Sequence, residues 1–231
     1  MTFYQALNGY FYNSDSIILY DFAISCNIKK DVLEVGSGCG IIGLLCARDR
    51  KINLTQIEIQ KDFSFLSSKN AEINSIESKV INDNFLNYTS NERYDYIISN
   101  PPFYRNDDVS SNNIKIAYCK MSKFLEISKF FKHVKYFLKP NAHFIFCYEA
   151  SSIHLVLYEL TKNHFSVEKM KFVHPKEDKA SKVVLISARL NSKSSIKILP
   201  PLFIQKGDSF STEMLDMYDK ANTYSIKCEL W

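Results

Sequence analysis

Short apolar runs alternate with longer amphipathic segments along the first three quarters of the chain. The apolar runs predict five strands, at residues 31–35, 53–59, 79–82, 94–99 and 142–148. Segments with one apolar face predict five helices, at residues 16–26, 41–47, 62–74, 120–138 and 151–163. We expect Pro140 to end the fourth helix. Alternation of strands with helices predicts a parallel sheet with helices packed on both faces.

Two long apolar runs, at residues 165–173 and 182–190, follow with few residues between them. Such a closely spaced pair predicts antiparallel strands at one edge of the sheet. The expected fold class is therefore α/β: a doubly wound, Rossmann-like sheet in three layers, mostly parallel with an antiparallel edge strand. We expect one domain over residues 1–231 with short appendages at 1–15 and 191–231, the second carrying a short helix from Ser211.

Composition narrows the class of protein. No run of about 18 uncharged apolar residues occurs, and the first residues lack a signal-peptide pattern, so we expect a cytoplasmic protein without a membrane segment. The six cysteines never form Cys-x-x-Cys, so we expect reduced thiols that mostly pack in the core. The five histidines are scattered singly, so we expect no metal site. A net charge of +4 permits nucleic-acid binding without proving it.

A glycine-rich turn, Glu34-Val35-Gly36-Ser37-Gly38-Cys39-Gly40, lies between a predicted strand and a predicted helix. Glycines let the backbone turn sharply and approach a ligand closely. The dinucleotide fingerprint would need a glycine where Ile41 stands, and no lysine follows the last glycine as in nucleoside-triphosphate loops. The carboxylate of Glu34 would repel phosphate and suits the ammonium group of an amino acid.

Acidic and amide side chains end the next two predicted strands. Glu58 follows the glycines by about 20 residues, where an acid commonly accepts hydrogen bonds from ribose hydroxyls. Asp83 and Asn84 end the third strand, where they could bind an adenine amine. Glu58 alone could equally be an ordinary surface charge. Side chains suited to an amino acid, a ribose and an adenine, taken together, indicate a site for S-adenosylmethionine.

The fourth strand runs into Asn100-Pro101-Pro102-Phe103. The two prolines carry no N–H, so the backbone there offers mainly carbonyl acceptors, and the amide oxygen of Asn100 adds another. Two acceptors can hold both hydrogens of an NH2 group, and Phe103 can stack on a base. By itself this segment could equally be a plain turn after a strand.

In the order and spacing of these motifs, the chain resembles the class I S-adenosylmethionine-dependent methyltransferases, in particular those that modify amino groups of bases or glutamine amides. Residues 10–19, 172–176 and 199–203 further resemble the bacterial valine-tRNA adenine-N6 methyltransferases. The likeness covers almost the whole chain. It departs at Ile116-Ala117-Tyr118-Cys119-Lys120, where that subgroup has an Ile-Ala-Arg-His-Glu-like stretch, so the motifs specify the reaction better than the tRNA.

The resemblance implies a cofactor, S-adenosyl-L-methionine, and roles for particular residues. The implied cofactor-binding residues are Asp15, Glu34, Gly36, Gly38, Gly40, Glu58, Asp83 and Asn84. The implied catalytic residues are Asn100, Pro101, Pro102 and Phe103. The implied substrate-binding residues are Phe103, Tyr104 and Arg105. The implied function is methyl transfer to the N6 amine of an adenine in the anticodon-loop region of tRNA.

Two groups of basic residues could contact RNA phosphates, although lysine-rich helix faces are usually just solvated. They are Lys115, Lys120, Lys123, Lys129, Lys132, Lys135 and Lys139, and Arg48, Arg50 and Lys51. Other functions stay open from the sequence. They are guanine-N2 methylation of ribosomal RNA, glutamine methylation of a protein, DNA adenine methylation, a non-catalytic RNA-binding module that senses the cofactor, and an oxidoreductase.

Overall fold

The computed structural model describes residues 1–7, 11–101 and 127–229. Its helices are α1 (Ser14–Ser25), α2 (Ile41–Asp49), α3 (Lys61–Ile73), α4 (Ile127–Phe137), α5 (Ile153–Lys162) and α6 (Thr212–Ala221). Its strands are β1 (Thr2–Ala6), β2 (Lys30–Val35), β3 (Ile52–Glu58), β4 (Ser78–Asn82), β5 (Tyr94–Ser99), β6 (Leu138–Glu149), β7 (Phe165–His174), β8 (Val183–Leu190), β9 (Lys197–Ile198), β10 (Leu202–Phe203), β11 (Gln205–Lys206), β12 (Ser209–Phe210) and β13 (Tyr224–Cys228).

The main sheet has the strand order β10-β7-β8-β6-β5-β2-β3-β4, and β9 pairs with β7. Strands β6, β5, β2, β3 and β4 run parallel to one another, whereas β8 is antiparallel to both β6 and β7. The chain winds outward from β2 through β3 to β4 and then returns to the other side of β2 as β5. The direction of winding therefore reverses between β2 and β5.

Each face of the sheet buries its own apolar cluster, because side chains alternate between the faces along a strand. Val32, Ile98 and Ile145 pack with residues of α1, α2, α3 and α6 on one face. Leu33, Ile97 and Phe144 belong to the other cluster, with residues of α4 and α5. The predicted three-layer α/β class is confirmed.

The structure differs from the predicted pattern at the end of the fourth predicted helix. Helix α4 ends at Phe137, before Pro140, and β6 begins at once at Leu138; residues 120–126 of the predicted helix lie outside the described residues. A residue that precedes proline favours extended backbone, so Lys139 joins the strand. The predicted antiparallel pair, β7 and β8, lies toward one edge of the sheet as expected, and the short β10 pairs with β7 beyond it.

The two ends of the chain form a separate parallel pair that the sequence did not predict. Strand β1 pairs with β13 from Thr2↔Tyr224 to Ala6↔Cys228. Arg48 binds the end of α6, the helix that precedes β13. Its guanidinium donates to the carbonyls of Lys220 (2.9 Å) and Ala221 (2.6 Å). Basic side chains stabilise the carbonyl end of a helix, so this residue anchors the C-terminal segment.

Asn70 of α3 and Asn74, which caps the end of this helix, bond to the other edge of β1. Asn74 Oδ1 accepts from Thr2 N (3.0 Å) and its Nδ2 donates to Thr2 O (2.7 Å). Asn70 makes the same pair of bonds with Tyr4, at 2.7 and 3.0 Å. The Nδ2 of the fully buried Asn70 also donates to Cys39 O (2.8 Å) in the glycine-rich turn. The N-terminal strand is thus tied to that turn through one side chain.

We expect Asn70→Ala to destabilise the protein by about 2–4 kcal/mol, because it removes three hydrogen bonds and leaves backbone groups of Tyr4 and Cys39 without a partner. Urea unfolding followed by circular dichroism measures the change. Asn91→Ala, at an exposed position, is the control and should lie within about 0.5 kcal/mol of the wild type. Equal unfolding midpoints for the two variants would contradict the expectation.

Candidate active site

The reversal between β2 and β5 brings the two principal sequence motifs together. Val35 and Ser99 are register partners at the carboxyl ends of these parallel strands, and Gly36 and Asn100 are the next residues of each. Ser99 Oγ donates to Val35 O at 2.9 Å and is fully buried, which links the two strand ends directly. Open α/β sheets bind ligands in the crevice at such a reversal.

The glycine-rich turn uses left-handed backbone at Gly36, Gly38 and Gly40, with φ of 70°, 55° and 85°. A Cβ placed on Gly36 or Gly38 would meet nothing within 4 Å, so these two residues present bare backbone to open space. A Cβ on Gly40 would lie 2.7 Å from Ser67 Oγ. Gly40 therefore serves the packing of α2 against α3, and Gly36 and Gly38 form the surface available to a ligand.

Glu58 fixes the shape of this turn from the neighbouring strand. One carboxylate oxygen accepts from Gly38 N and the other from Gln60 N, both at 2.9 Å. Burial raises the pKa of Glu58, and these backbone donors oppose that rise. The backbone amide of Ile59 also bonds to Glu58, and a carboxylate has about four acceptor positions, so capacity remains for a ligand hydroxyl. The residue can hold the turn and a ribose at once.

Glu34 is fully buried beneath the first turn of α2. Its Oε2 accepts from Gln56 Nε2 (2.6 Å) and from Gly43 N (3.0 Å). Burial raises the pKa of Glu34 to about 7, with a smaller contribution from the charge of Glu58. This packing is tight, because a Cβ on Gly43 would lie 2.5 Å from Glu34 Oε2. Glu34 thus has a structural role in addition to the predicted cofactor contact.

Gln56, which the sequence analysis did not single out, organises the polar interior around Glu34. Its Nε2 donates to Glu34, and its Oε1 accepts from Ser67 Oγ (3.0 Å) and Ser78 Oγ (2.9 Å). The sequence gives no clear signal for this role, because β3 also carries the polar residues Asn53, Thr55 and Glu58.

Asp83 and Asn84 follow β4 at the same edge of the sheet. Asp83 is exposed, and its carboxylate accepts from Asn84 N at 2.7 Å. Asn84 Oδ1 accepts from Leu86 N at 3.0 Å, which forms a local turn. Both side chains lie beyond the end of β4, as the predicted adenine contact requires. That contact stays a prediction.

Asp15 lies in the first turn of α1. Asn13 caps this helix, because its Oδ1 accepts from Asp15 N at 3.0 Å. Burial raises the pKa of Asp15, and the charge of Asp15 in turn raises the pKa of Cys147 on β6. The predicted contact of Asp15 with the cofactor stays a prediction.

Two residues of the predicted acceptor motif are described, Asn100 and Pro101. Asn100 is half-buried and Pro101 is buried. Asn100 Oδ1 accepts from Cys147 Sγ at 2.9 Å. Pro102, Phe103, Tyr104 and Arg105 lie outside the described residues, so their predicted catalytic and substrate-binding roles stay predictions.

Several of the basic residues considered for RNA contact have partners within the chain. Lys139 pairs with Asp31 (2.6 Å) and Asp95 (2.7 Å), and Arg48 pairs with Asp49 (2.6 Å) while it holds α6. These two side chains also serve the fold, and the suggested contacts with RNA phosphates stay a prediction. Lys115, Lys120 and Lys123 lie outside the described residues.

The residues around the turn fit S-adenosyl-L-methionine. Gly36 and Gly38 have open faces, and two buried polar atoms of the same segment, Glu34 Oε1 and Ser37 Oγ, lack a partner among the described residues. Buried polar atoms near a crevice usually have a ligand or water as their partner. Over the same residues, no helix is long and apolar enough to cross a membrane and no cluster of metal-ligating side chains occurs.

Comparison with known families gives a match over residues 16–136 to the model described as "Methyltransferase small domain". This segment runs from the start of α1 to the end of α4, so it contains the glycine-rich turn, Glu58 and Asn100. It is more than half of the chain.

Curated relatives match over a longer stretch. A tRNA1(Val) (adenine(37)-N6)-methyltransferase of Dyadobacter fermentans is 22% identical over 77% of this chain and 75% of its own. A protein of the same name from Aliivibrio fischeri is 24% identical over 77% and 76%. Among solved structures, one described as a predicted O-methyltransferase from Agrobacterium tumefaciens aligns with a TM-score of 0.70 at 13% identity, over 92% of this chain and 99% of that one.

The buried Glu34 should make stability depend on pH. Its folded-state pKa of about 7 exceeds the ordinary 4.5, so between these values the folded chain holds a proton that the unfolded chain releases. Raising the pH across this window should therefore lower the free energy of unfolding, by on the order of 2 kcal/mol.

Glu34→Gln should remove that contribution, and urea unfolding at pH 5 and pH 7.5 measures it. The exposed Glu77→Gln serves as the control and should follow the wild-type dependence. An unchanged pH dependence in Glu34→Gln would show that Glu34 does not hold the proton.

Proposed function

The chain belongs to the methyltransferase small domain family and its cofactor is S-adenosyl-L-methionine; on this premise we propose that it methylates the exocyclic N6 amine of an adenine in tRNA. The enzyme would act in the cytoplasm, where its substrate occurs. The names of the curated relatives, which align over about three quarters of the chain, support the choice of substrate.

The position of Asn100 carries the proposal. Its amide follows β5, where the direction of winding reverses, and lies adjacent to the glycine-rich turn that follows β2. The Ser99–Val35 hydrogen bond joins the two strand ends. An acceptor for an amine thus stands beside the surface that suits the methyl donor. Such an arrangement favours transfer to nitrogen over a purely binding function.

When bound, S-adenosyl-L-methionine supplies a methyl group already activated by its sulfonium, so positioning provides most of the catalysis. The oxygens of Asn100 and Pro101 accept the two hydrogens of the target amine. These bonds direct the nitrogen lone pair toward the methyl group and stabilise the positive charge that develops on nitrogen. Phe103 stacks on the base, and Tyr104 and Arg105 contact the substrate. The proton leaves after transfer, so no strong base is needed.

Glu58, Gly36 and Gly38 hold the cofactor in this proposal. The remaining acceptor capacity of Glu58 binds a ribose hydroxyl, and the bare backbone at the two glycines allows close approach. Asp15 and Glu34 lie toward the amino-acid end, and Asp83 and Asn84 toward the adenine. An adenine inside a helix cannot enter such a site, so the target base is unpaired or flipped out, as an anticodon loop permits.

Asn100→Ala should leave the affinity for the cofactor within about threefold and lower kcat by about 10²–10³, because it removes an acceptor aimed at developing charge. Isothermal titration with S-adenosyl-L-methionine measures binding, and transfer of labelled methyl to tRNA measures turnover. The exposed Asn87→Ala is the matched control and should behave as the wild type. Near-normal turnover in Asn100→Ala would exclude the proposed role.

The substrate is tested by incubating the protein and labelled cofactor separately with tRNA, ribosomal RNA and a release factor, followed by mass spectrometry of the products. We expect N6-methyladenosine in the tRNA fraction. Label in N2-methylguanosine or in glutamine would move the assignment to those acceptors. Cofactor binding without transfer to any of them would favour a non-catalytic module. The same nucleoside should be missing from the tRNA of a strain that lacks the protein.

A further inference from the structure

Cys147 contacts the side chain on which the proposed chemistry depends. It lies on β6, where Phe146 is the register partner of Ser99, so that Cys147 stands alongside Asn100. Its Sγ lies 2.9 Å from Asn100 Oδ1, and the residue is fully buried. Cys147 and Asn100 extend the row formed by Ile145 and Ile98 on the α1 face of the sheet.

We propose that Cys147 is a positioning residue: its thiol donates a hydrogen bond to Asn100 Oδ1 and so turns the amide oxygen toward the substrate amine. The proposal rests on the function proposed above, in which that oxygen accepts the amine. It assigns to Cys147 no contact with substrate or cofactor.

The chemistry of an asparagine amide explains why such a donor is needed. Rotation by half a turn about the last side-chain bond exchanges the oxygen with the NH2 group, which cannot accept a hydrogen bond. The oxygen has two lone pairs in the amide plane. When the thiol occupies one, the direction of the other is fixed, and this second lone pair is the one that can meet the amine.

The surroundings keep the thiol a donor. Burial raises the pKa of Cys147 well above its ordinary value, and the nearby negative charge of Asp15 acts in the same direction. A thiolate would attract the amide NH2 and turn the oxygen away. The apolar Ile98, Ile145 and Leu185 of the same cluster are fully buried and provide no competing side-chain donor.

The backbone that precedes Asn100 is fixed independently. Ser99 Oγ holds the preceding residue to Val35 O, and Ser99 pairs in register with Val35 on one side and Phe146 on the other. The remaining freedom of Asn100 is rotation of its side chain, and Cys147 is the described hydrogen-bond donor to its oxygen.

Three variants test the proposal. Cys147→Val keeps an apolar side chain of similar size without a donor, and should lower kcat for tRNA methylation about tenfold while the cofactor dissociation constant stays within twofold. Cys147→Ser restores a donor and should retain most of the turnover. In the Asn100→Ala background, Cys147→Val should have no further effect on kcat, because the group that it orients is gone.

A purely structural role predicts a different result. Cys147→Val would then lower kcat by the same factor with and without Asn100, or Cys147→Ser would be as impaired as Cys147→Val. Either result, or wild-type kcat in Cys147→Val, would overturn the proposal.

A spectroscopic readout separates this proposal from the proposed function, because it needs no substrate. The side-chain ¹⁵N–¹H pair of Asn100, assigned by its loss in Asn100→Ala, should shift or broaden in Cys147→Val and stay near its wild-type position in Cys147→Ser. An unchanged pair in Cys147→Val would overturn the positioning role even if tRNA is methylated. If Cys147→Val changes this signal but the wild-type protein methylates no amine, the positioning role of Cys147 holds and the proposed function is wrong.

Discussion

The register of β2 against β5 is the constraint on which the site depends. Because Val35 and Ser99 are partners at the ends of adjacent parallel strands, the turn after one and the motif after the other begin side by side. The buried Ser99–Val35 hydrogen bond fixes that register with a side chain as well as with the sheet. A slip of one residue would turn every side chain of β5 to the opposite face and carry Asn100 away from the α1 side.

Two buried acids shape the surface that we propose for the cofactor. Glu34 binds the amide of Gly43 and thereby fixes the first turn of α2, and Glu58 binds the amide of Gly38. Burying a carboxylate is unfavourable unless hydrogen bonds compensate, and backbone amides together with the side chain of Gln56 supply them here. The turn is consequently held in shape before any ligand arrives, which reduces the ordering needed on binding.

The ends of the chain are joined to the same turn rather than placed beside the domain as loose extensions. Asn70 binds both strand β1 and the carbonyl of Cys39, and β1 pairs with β13. A change in the terminal strands therefore reaches the cofactor-binding segment through one buried side chain. The same principle recurs at Asn100, whose orientation depends on a buried neighbour from another strand.

The sequence by itself determined the α/β class, the approximate bounds of most strands and helices, and the segments that carry chemistry, because apolar periodicity and turn residues act locally. It also determined that Glu58 and Asn100 stand at strand ends. Only the tertiary structure decided that β8 lies inside β7, that β1 pairs with β13, and that Gln56 and Cys147 orient functional groups. Those outcomes depend on hydrogen bonds and register between residues far apart in the chain, which no local pattern encodes.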